Sequence, residues 1–200
     1  MKNKLKELLV EEMLAIASIP ITDDYEKAIN LIYNRVHQKG GTLICSGMGK
    51  AGQIALNIST TFSSTGTPAM FMHPSEAQHG DLGILRPNDV LLLISNSGKT
   101  REIEELIQLS RNLHPTIKII GITKNSDSAL GKESDVKILT GNTTELCPLG
   151  LTPTISTTTM TVIGDLLVVS MMEKIKFTKE EYSKRHHGGY LGKKSRTKDD

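Results

Sequence analysis

Two loops could hold a phosphate: Gly47-Met48-Gly49-Lys50-Ala51-Gly52 and Ser95-Asn96-Ser97-Gly98-Lys99-Thr100. Each follows a short apolar run and precedes a segment of helical periodicity. A helix amino terminus carries unpaired N–H groups and about half a positive charge, so amides and hydroxyls there cradle an anion without an arginine. Ser46, Gly47 and Gly49 of the first loop suit that task, as do Ser95, Asn96, Ser97 and Thr100 of the second. A small anionic ligand follows from this pattern.

Two nucleotide readings compete. Gly47-x-Gly49-x-x-Gly52 matches the dinucleotide fingerprint, but the acid expected about 20 residues later is missing from the next strand end, and a second phosphate loop would be redundant. Gly98-Lys99-Thr100 resembles the end of a Walker A loop, which needs glycine where Leu93 stands. A leucine inside a strand cannot supply a backbone ring around two phosphates. A single phosphate ester fits better, and no cofactor is called for.

Elements that could carry these loops are legible around them. Leu5, Leu8, Leu9, Met13, Leu14 and Ala17 recur at helical spacing, and Tyr25 to Gln38 repeats the pattern after Asp23-Asp24. Five apolar runs follow: Thr42 to Ser46, Ala69 to His73, Val90 to Ser95, Ile117 to Thr123 and Val136 to Leu139. Their long connections predict parallel strands, and the lack of alternation in Leu91-Leu92-Leu93-Ile94 predicts a sheet covered on both faces. Pro153 to Lys174 opens with Thr and Ser and continues as a long apolar helix, and Thr178 starts a short one before His186.

The 200 residues, 38% apolar, suit one domain over residues 1–193, with 194–200 as a flexible tail. Twenty-four basic and 22 acidic side chains leave a net charge of +2 with no basic stripe, which argues against nucleic acid. Glu7, Glu11 and Glu12 interrupt the N-terminal apolar pattern, so neither export nor a membrane span is expected, and the location expected is cytoplasmic. Cys45 and Cys147, without metal-type spacing, read as reduced thiols.

Several blocks in one order carry a resemblance. Gly-Met-Gly-Lys, Ser64 to Pro68, His73-Pro74-x-Glu76-Ala77-x-His79-Gly80-Asp81, Ser95 to Gly98, Glu145-x-Cys147-Pro148 through Thr154, and Gly188-Gly189-x-Leu191-Gly192 resemble the sugar-isomerase (SIS) domain, closest to its D-arabinose-5-phosphate isomerases. The resemblance implies a three-layer αβα fold with a five-stranded parallel sheet. It also implies interconversion of D-ribulose 5-phosphate and D-arabinose 5-phosphate, supplying the eight-carbon sugar Kdo for lipopolysaccharide or capsule. Many members append CBS domains, which this sequence does not show. Feedback by an acidic Kdo-type metabolite is therefore expected in the catalytic pocket itself.

By that resemblance the catalytic positions are Lys50, Glu102, Glu145 and His186, with His79 second to His186 for opening the sugar ring. Ala51 to Gly66 contains no acid, so the proton shuttle must lie elsewhere; Glu145 is favoured, with Glu102 close behind. Glu102 could instead complement a helix dipole, whereas Glu145 shows no such helical role in the sequence. His73, Gly66 and Thr67 are expected to border the sugar. No metal is required, and an inhibitory zinc would sit at His73. A homotetramer is implied, in which His79 or His186 enters a neighbour's pocket. Lys99 stands where the family has an acid, and His187 where it has proline, which keeps an isomerase of a longer sugar phosphate open. A non-catalytic sugar-phosphate sensor is the other alternative.

Overall fold

The computed structural model describes residues 1–141 and 144–196. Helices α1 (Lys2–Ala17) and α2 (Asp24–Ile32) lead in, the second continued by a π-helical turn, Tyr33–His37. Next come β1 (Leu43–Gly47), α3 (Gly49–Ser64), β2 (Ala69–Phe71), α4 (Pro74–Ala77) and a 3-10 turn, Asp81–Ile84. They are followed by β3 (Val90–Ile94), α5 (Arg101–Leu113), β4 (Lys118–Thr123), α6 (Ala129–Glu133) and β5 (Val136–Leu139). The last described elements are α7 (Ile155–Lys174), α8 (Lys179–Arg185) and α9 (Gly189–Arg196).

All five strands are parallel, in the order β2-β1-β3-β4-β5. The expected αβα architecture is present, with each strand within two residues of its sequence-predicted bounds. Central β3 explains its own composition. Leu91 and Leu93 enter one core with Ile103, Leu106 and Ile107 of α5 and Leu130 of α6. Val90, Leu92 and Ile94 enter the other with Ile32 of α2, Phe62 of α3, and Ile163 and Leu167 of α7. A strand covered on both faces has no polar side to present, and each such burial stabilises by about 1.5–3 kcal/mol.

Among the described residues α7 alone is long and apolar enough to cross a membrane, and half of its apolar window is buried in the fold, as in a core helix. Residues 194–196, expected in a flexible tail, instead extend α9. There the Arg196 guanidinium donates to the carbonyls of His186 and His187. Residues 197–200 of that expected tail lie outside the described residues.

The strand order creates the crevice. Gly47 at the end of β1 is in register with Ile94 at the end of β3. From these neighbouring ends α3 departs to one face of the sheet and α5 to the other. The backbone therefore parts at the carboxyl edge between β1 and β3, where open parallel sheets bind ligands.

Candidate active site

A cavity of about 270 Å³ fills that crevice. Met48, Lys50 and Ala51 line it from the start of α3, and Ile94 to Ser97 with Thr100 from the second loop. Pro153, Ser156, Thr157 and Met160 form a third wall at the start of α7. Three helix amino ends thus converge on one space. None of them is capped by the side chain of its own N-cap residue, Met48, Thr100 or Thr154. By contrast α4, α6 and α8 are capped by His73, Ser128 and Thr178. The uncapped ends at α3 and α5 leave amides and dipoles for an anion.

The second loop is built by its own hydroxyls. Ser95 Oγ accepts the Gly98 amide at 3.1 Å and lies 2.8 Å from Thr100 Oγ1. With Ser95 as donor in that pair, the Thr100 O–H is left to reach a ligand. Ser97 Oγ accepts the Lys99 amide at 3.2 Å and keeps its hydrogen for an anion. Asn96 Oδ1 is buried against the cavity with no hydrogen-bond partner among the described residues. An orphan acceptor in a cavity wall is suited to a ligand hydroxyl. Gly49 and Gly98 make the two turns at φ of +56° and +65°, which side chains with a Cβ resist.

Lys50 lines the cavity with an exposed amine 3.4 Å from Gln53 Oε1. Glu145 lies beside the third wall. Its Oε2 accepts the Thr154 amide at 2.7 Å, the Thr154 hydroxyl at 3.0 Å and the Ser156 amide at 3.3 Å. Burial pushes this carboxyl up, but the hydrogen bonds from Ser156 and Thr154 outweigh it and hold the group below the usual carboxylate range. Glu145 therefore does have a helical role, contrary to the sequence reading: it serves the amino end of α7 in place of a cap. The side chain of Glu102, in the first turn of α5 two residues past Thr100, makes no hydrogen bond among the described residues.

Several expected positions lie elsewhere. Gly66 and Thr67 precede β2, so they sit at the amino edge of the sheet, opposite the cavity. There a Cβ on Gly66 would press on the Phe177 ring, and Thr67 Oγ1 pairs with His37 Nε2 at 3.1 Å. The buried Ser46 hydroxyl donates to the Met72 carbonyl at 2.7 Å and is turned away from an anion. His73 follows β2 and caps α4, its Nδ1 accepting the Ser75 amide at 3.3 Å, so Nε2 is the nitrogen left to a ligand or metal. Exposed His79 lies beyond α4 and does not line the cavity. His186 does not line it either: Nδ1 donates to the Tyr182 carbonyl at 3.0 Å, and the ring stacks on Tyr182 at 3.7 Å. Among the described residues no three His, Cys, Asp or Glu side chains gather as metal ligands.

The third wall has a signal in the sequence, a cluster of hydroxyl residues. Thr154, Ser156, Thr157, Thr158 and Thr159 crowd the start of an otherwise apolar helix. In the same loop Cys147 Sγ accepts the amides of Leu151 and Thr152 at 3.1 and 3.0 Å. The Thr152 amide contributes most to lowering this thiol to about 7, whereas burial pushes Cys45 far upward. A lowered thiol pKa means that thiolate is abundant at neutral pH. Iodoacetamide should therefore label Cys147 and spare Cys45, with a rate rising through about pH 7, as peptide mass spectrometry would read; equal labelling refutes this.

The SIS domain model matches residues 36–170. Arabinose 5-phosphate isomerase KdsD of Yersinia pestis is 42% identical over 191 residues, 94% of this chain and 56% of that protein. The chain thus spans little more than half the length of the curated relatives that it matches first. A Bacteroides fragilis structure named for a candidate phosphosugar isomerase involved in capsule formation is 64% identical, with a TM-score of 0.93, covering 95% of this chain and 99% of that one. An Escherichia coli CFT073 protein solved in complex with arabinose 5-phosphate is 34% identical, with a TM-score of 0.82, covering 92% and 96%.

Proposed function

Because the chain belongs to the SIS domain family, we propose that it is an aldose-ketose isomerase interconverting D-ribulose 5-phosphate and D-arabinose 5-phosphate through an enediolate. The observation that carries this is the meeting of three helix amino ends on one cavity, with Lys50 in its wall and Glu145 beside it. The phosphate takes the amides of α3 and α5 and the hydroxyls of Ser97 and Thr100. Asn96 Oδ1 accepts a sugar hydroxyl. Binding energy from this non-reacting end fixes C1 and C2 for proton transfer.

In the aldose-to-ketose direction Glu145 takes the proton from C2 and returns it to C1. The C1 carbonyl oxygen gains a proton, the C2 hydroxyl loses one, and the Lys50 ammonium stabilises the enediolate charge between them. Glu102 and an imidazole open the furanose. Neither His79 nor His186 lines the cavity of its own chain. Both fit a homotetramer in which they complete a neighbour's site. The outward face of α1 offers a contact for that assembly, with Leu5, Leu9 and Met13 each more than half exposed. Light scattering should give the mass of four chains, and Leu9→Glu a smaller particle; a monomeric wild type would end this part of the proposal.

The product would feed Kdo synthesis for lipopolysaccharide or capsule in the cytoplasm. An acidic Kdo-type metabolite would inhibit by occupying the same cavity, competitively with ribulose 5-phosphate. Incubation with ribulose 5-phosphate, followed by proton NMR, should show arabinose 5-phosphate. Binding without turnover would favour a sensor. Faster turnover of a hexose or heptose phosphate would assign a longer substrate, the outcome that Lys99 keeps in view.

A further inference from the structure

We propose that Thr154 is a positioning residue for Glu145, holding one carboxylate oxygen so that the other is left to meet the substrate. This rests on the reading of Glu145 as the proton shuttle. The hydroxyl of Thr154 lies 3.0 Å from Glu145 Oε2 and 3.0 Å from the Leu146 amide nitrogen. An amide can only donate, so Thr154 Oγ1 accepts from Leu146 and its single hydrogen is committed to the carboxylate. The direction of that hydrogen bond is therefore fixed by the backbone.

Three donors hydrogen-bond Oε2 and none Oε1 among the described residues, while the Ser156 hydroxyl also favours the charged carboxylate. A carboxylate held at one oxygen has lost the rotation that would misalign the other, as proton transfer at carbon requires. The arrangement is not an ordinary helix cap. Thr154 is the N-cap residue of α7, yet its hydroxyl caps no α7 amide, and Glu145 receives the Ser156 amide in its place. A residue type that usually serves its helix here serves the acid.

The same bonds favour the ionised form, so the base is available above a pKa lying below the usual carboxylate range. No charged side chain contributes to that displacement. Of the titratable groups in the same loop and in the cavity wall, Cys147 accepts the Leu151 and Thr152 amides and Lys50 lines the cavity. Removing the Thr154 hydroxyl raises the Glu145 pKa and moves the acid limb of kcat/KM to higher pH.

The test compares Thr154→Val, Thr154→Ser and Glu145→Gln in the full chain with ribulose 5-phosphate as substrate. Thr154→Val should lower kcat by about tenfold with KM within about twofold, since the phosphate contacts are untouched. Its acid limb should move up, and Thr154→Ser should restore both. If Glu145→Gln is inactive but Thr154→Val matches the wild-type rate and pH profile, or Thr154→Ser falls as far as Thr154→Val, the positioning role is overturned. If Glu145→Gln is fully active, the shuttle reading fails and this inference with it. Should Thr154→Val not fold, carbon-13 NMR of the Glu145 carboxyl in Thr154→Ala should show titration displaced upward; an unmoved titration overturns the proposal.

Discussion

Glu145→Gln is expected to reduce kcat for ribulose 5-phosphate by roughly 10²–10⁴-fold, the usual contribution of a positioned acid-base group. Glutamine keeps the shape and can still accept the amides of Thr154 and Ser156, so the start of α7 should persist and thermal stability change little. What it cannot do is take a proton from carbon. Glu102→Gln separates the two acids. If Glu145 shuttles the carbon-bound proton, exchange of solvent deuterium into the product should vanish in Glu145→Gln and survive, slowed, in Glu102→Gln. The reverse pattern would transfer the shuttle to Glu102. The pH dependence has a definite sign, because a carboxyl held below its usual range stays charged as pH falls. The acid limb of kcat/KM should therefore lie below that of an unperturbed glutamate.

Gly98→Ala is expected to damage both fold and binding. At φ +65° an alanine costs about 1–2 kcal/mol in the left-handed region. Its Cβ would also collide with the Ser128 hydroxyl, lie 2.5 Å from Ser128 Cβ and 2.8 Å from Thr123 Oγ1. Overpacking of this kind adds about 1–3 kcal/mol. Ser128 has little freedom to withdraw, because its Oγ accepts the Gly131 amide at 3.2 Å and donates to the Asn125 carbonyl at 2.6 Å. Moving it would uncap α6. Gly49→Ala is the internal control: φ is +56°, but no atom stands within 4 Å of the added carbon. Thermal melts should show Gly98→Ala falling well below Gly49→Ala. Equal losses would mean that backbone strain alone, without the Ser128 contact, accounts for the second turn.

The anion loops were legible because their signals are local. A short apolar run, a turn of Gly and Ser, and a helical period lie within a dozen residues of one another, and each dictates its own backbone. At Ser46 the sequence shows a hydroxyl beside the loop but not the Met72 carbonyl that takes its proton. Gly66 and Thr67 form a glycine turn before a strand, which in the sequence looks like a glycine turn after one. In a parallel sheet the two open at opposite edges, and only the edge at the strand carboxyl ends meets the crevice.

From the residues alone, the chain specified its longer helices, five parallel strands and two phosphate-type turns, since periodicity and turn chemistry act over a few residues. Tertiary structure decided that β1 and β3 are neighbours, which brings those turns 48 residues apart into one cavity. It also brought the start of α7 in as the third wall and made Glu145 the partner of that helix. Strand order depends on which sheet face each crossover helix covers, and that choice is settled by burial between segments far apart in the chain.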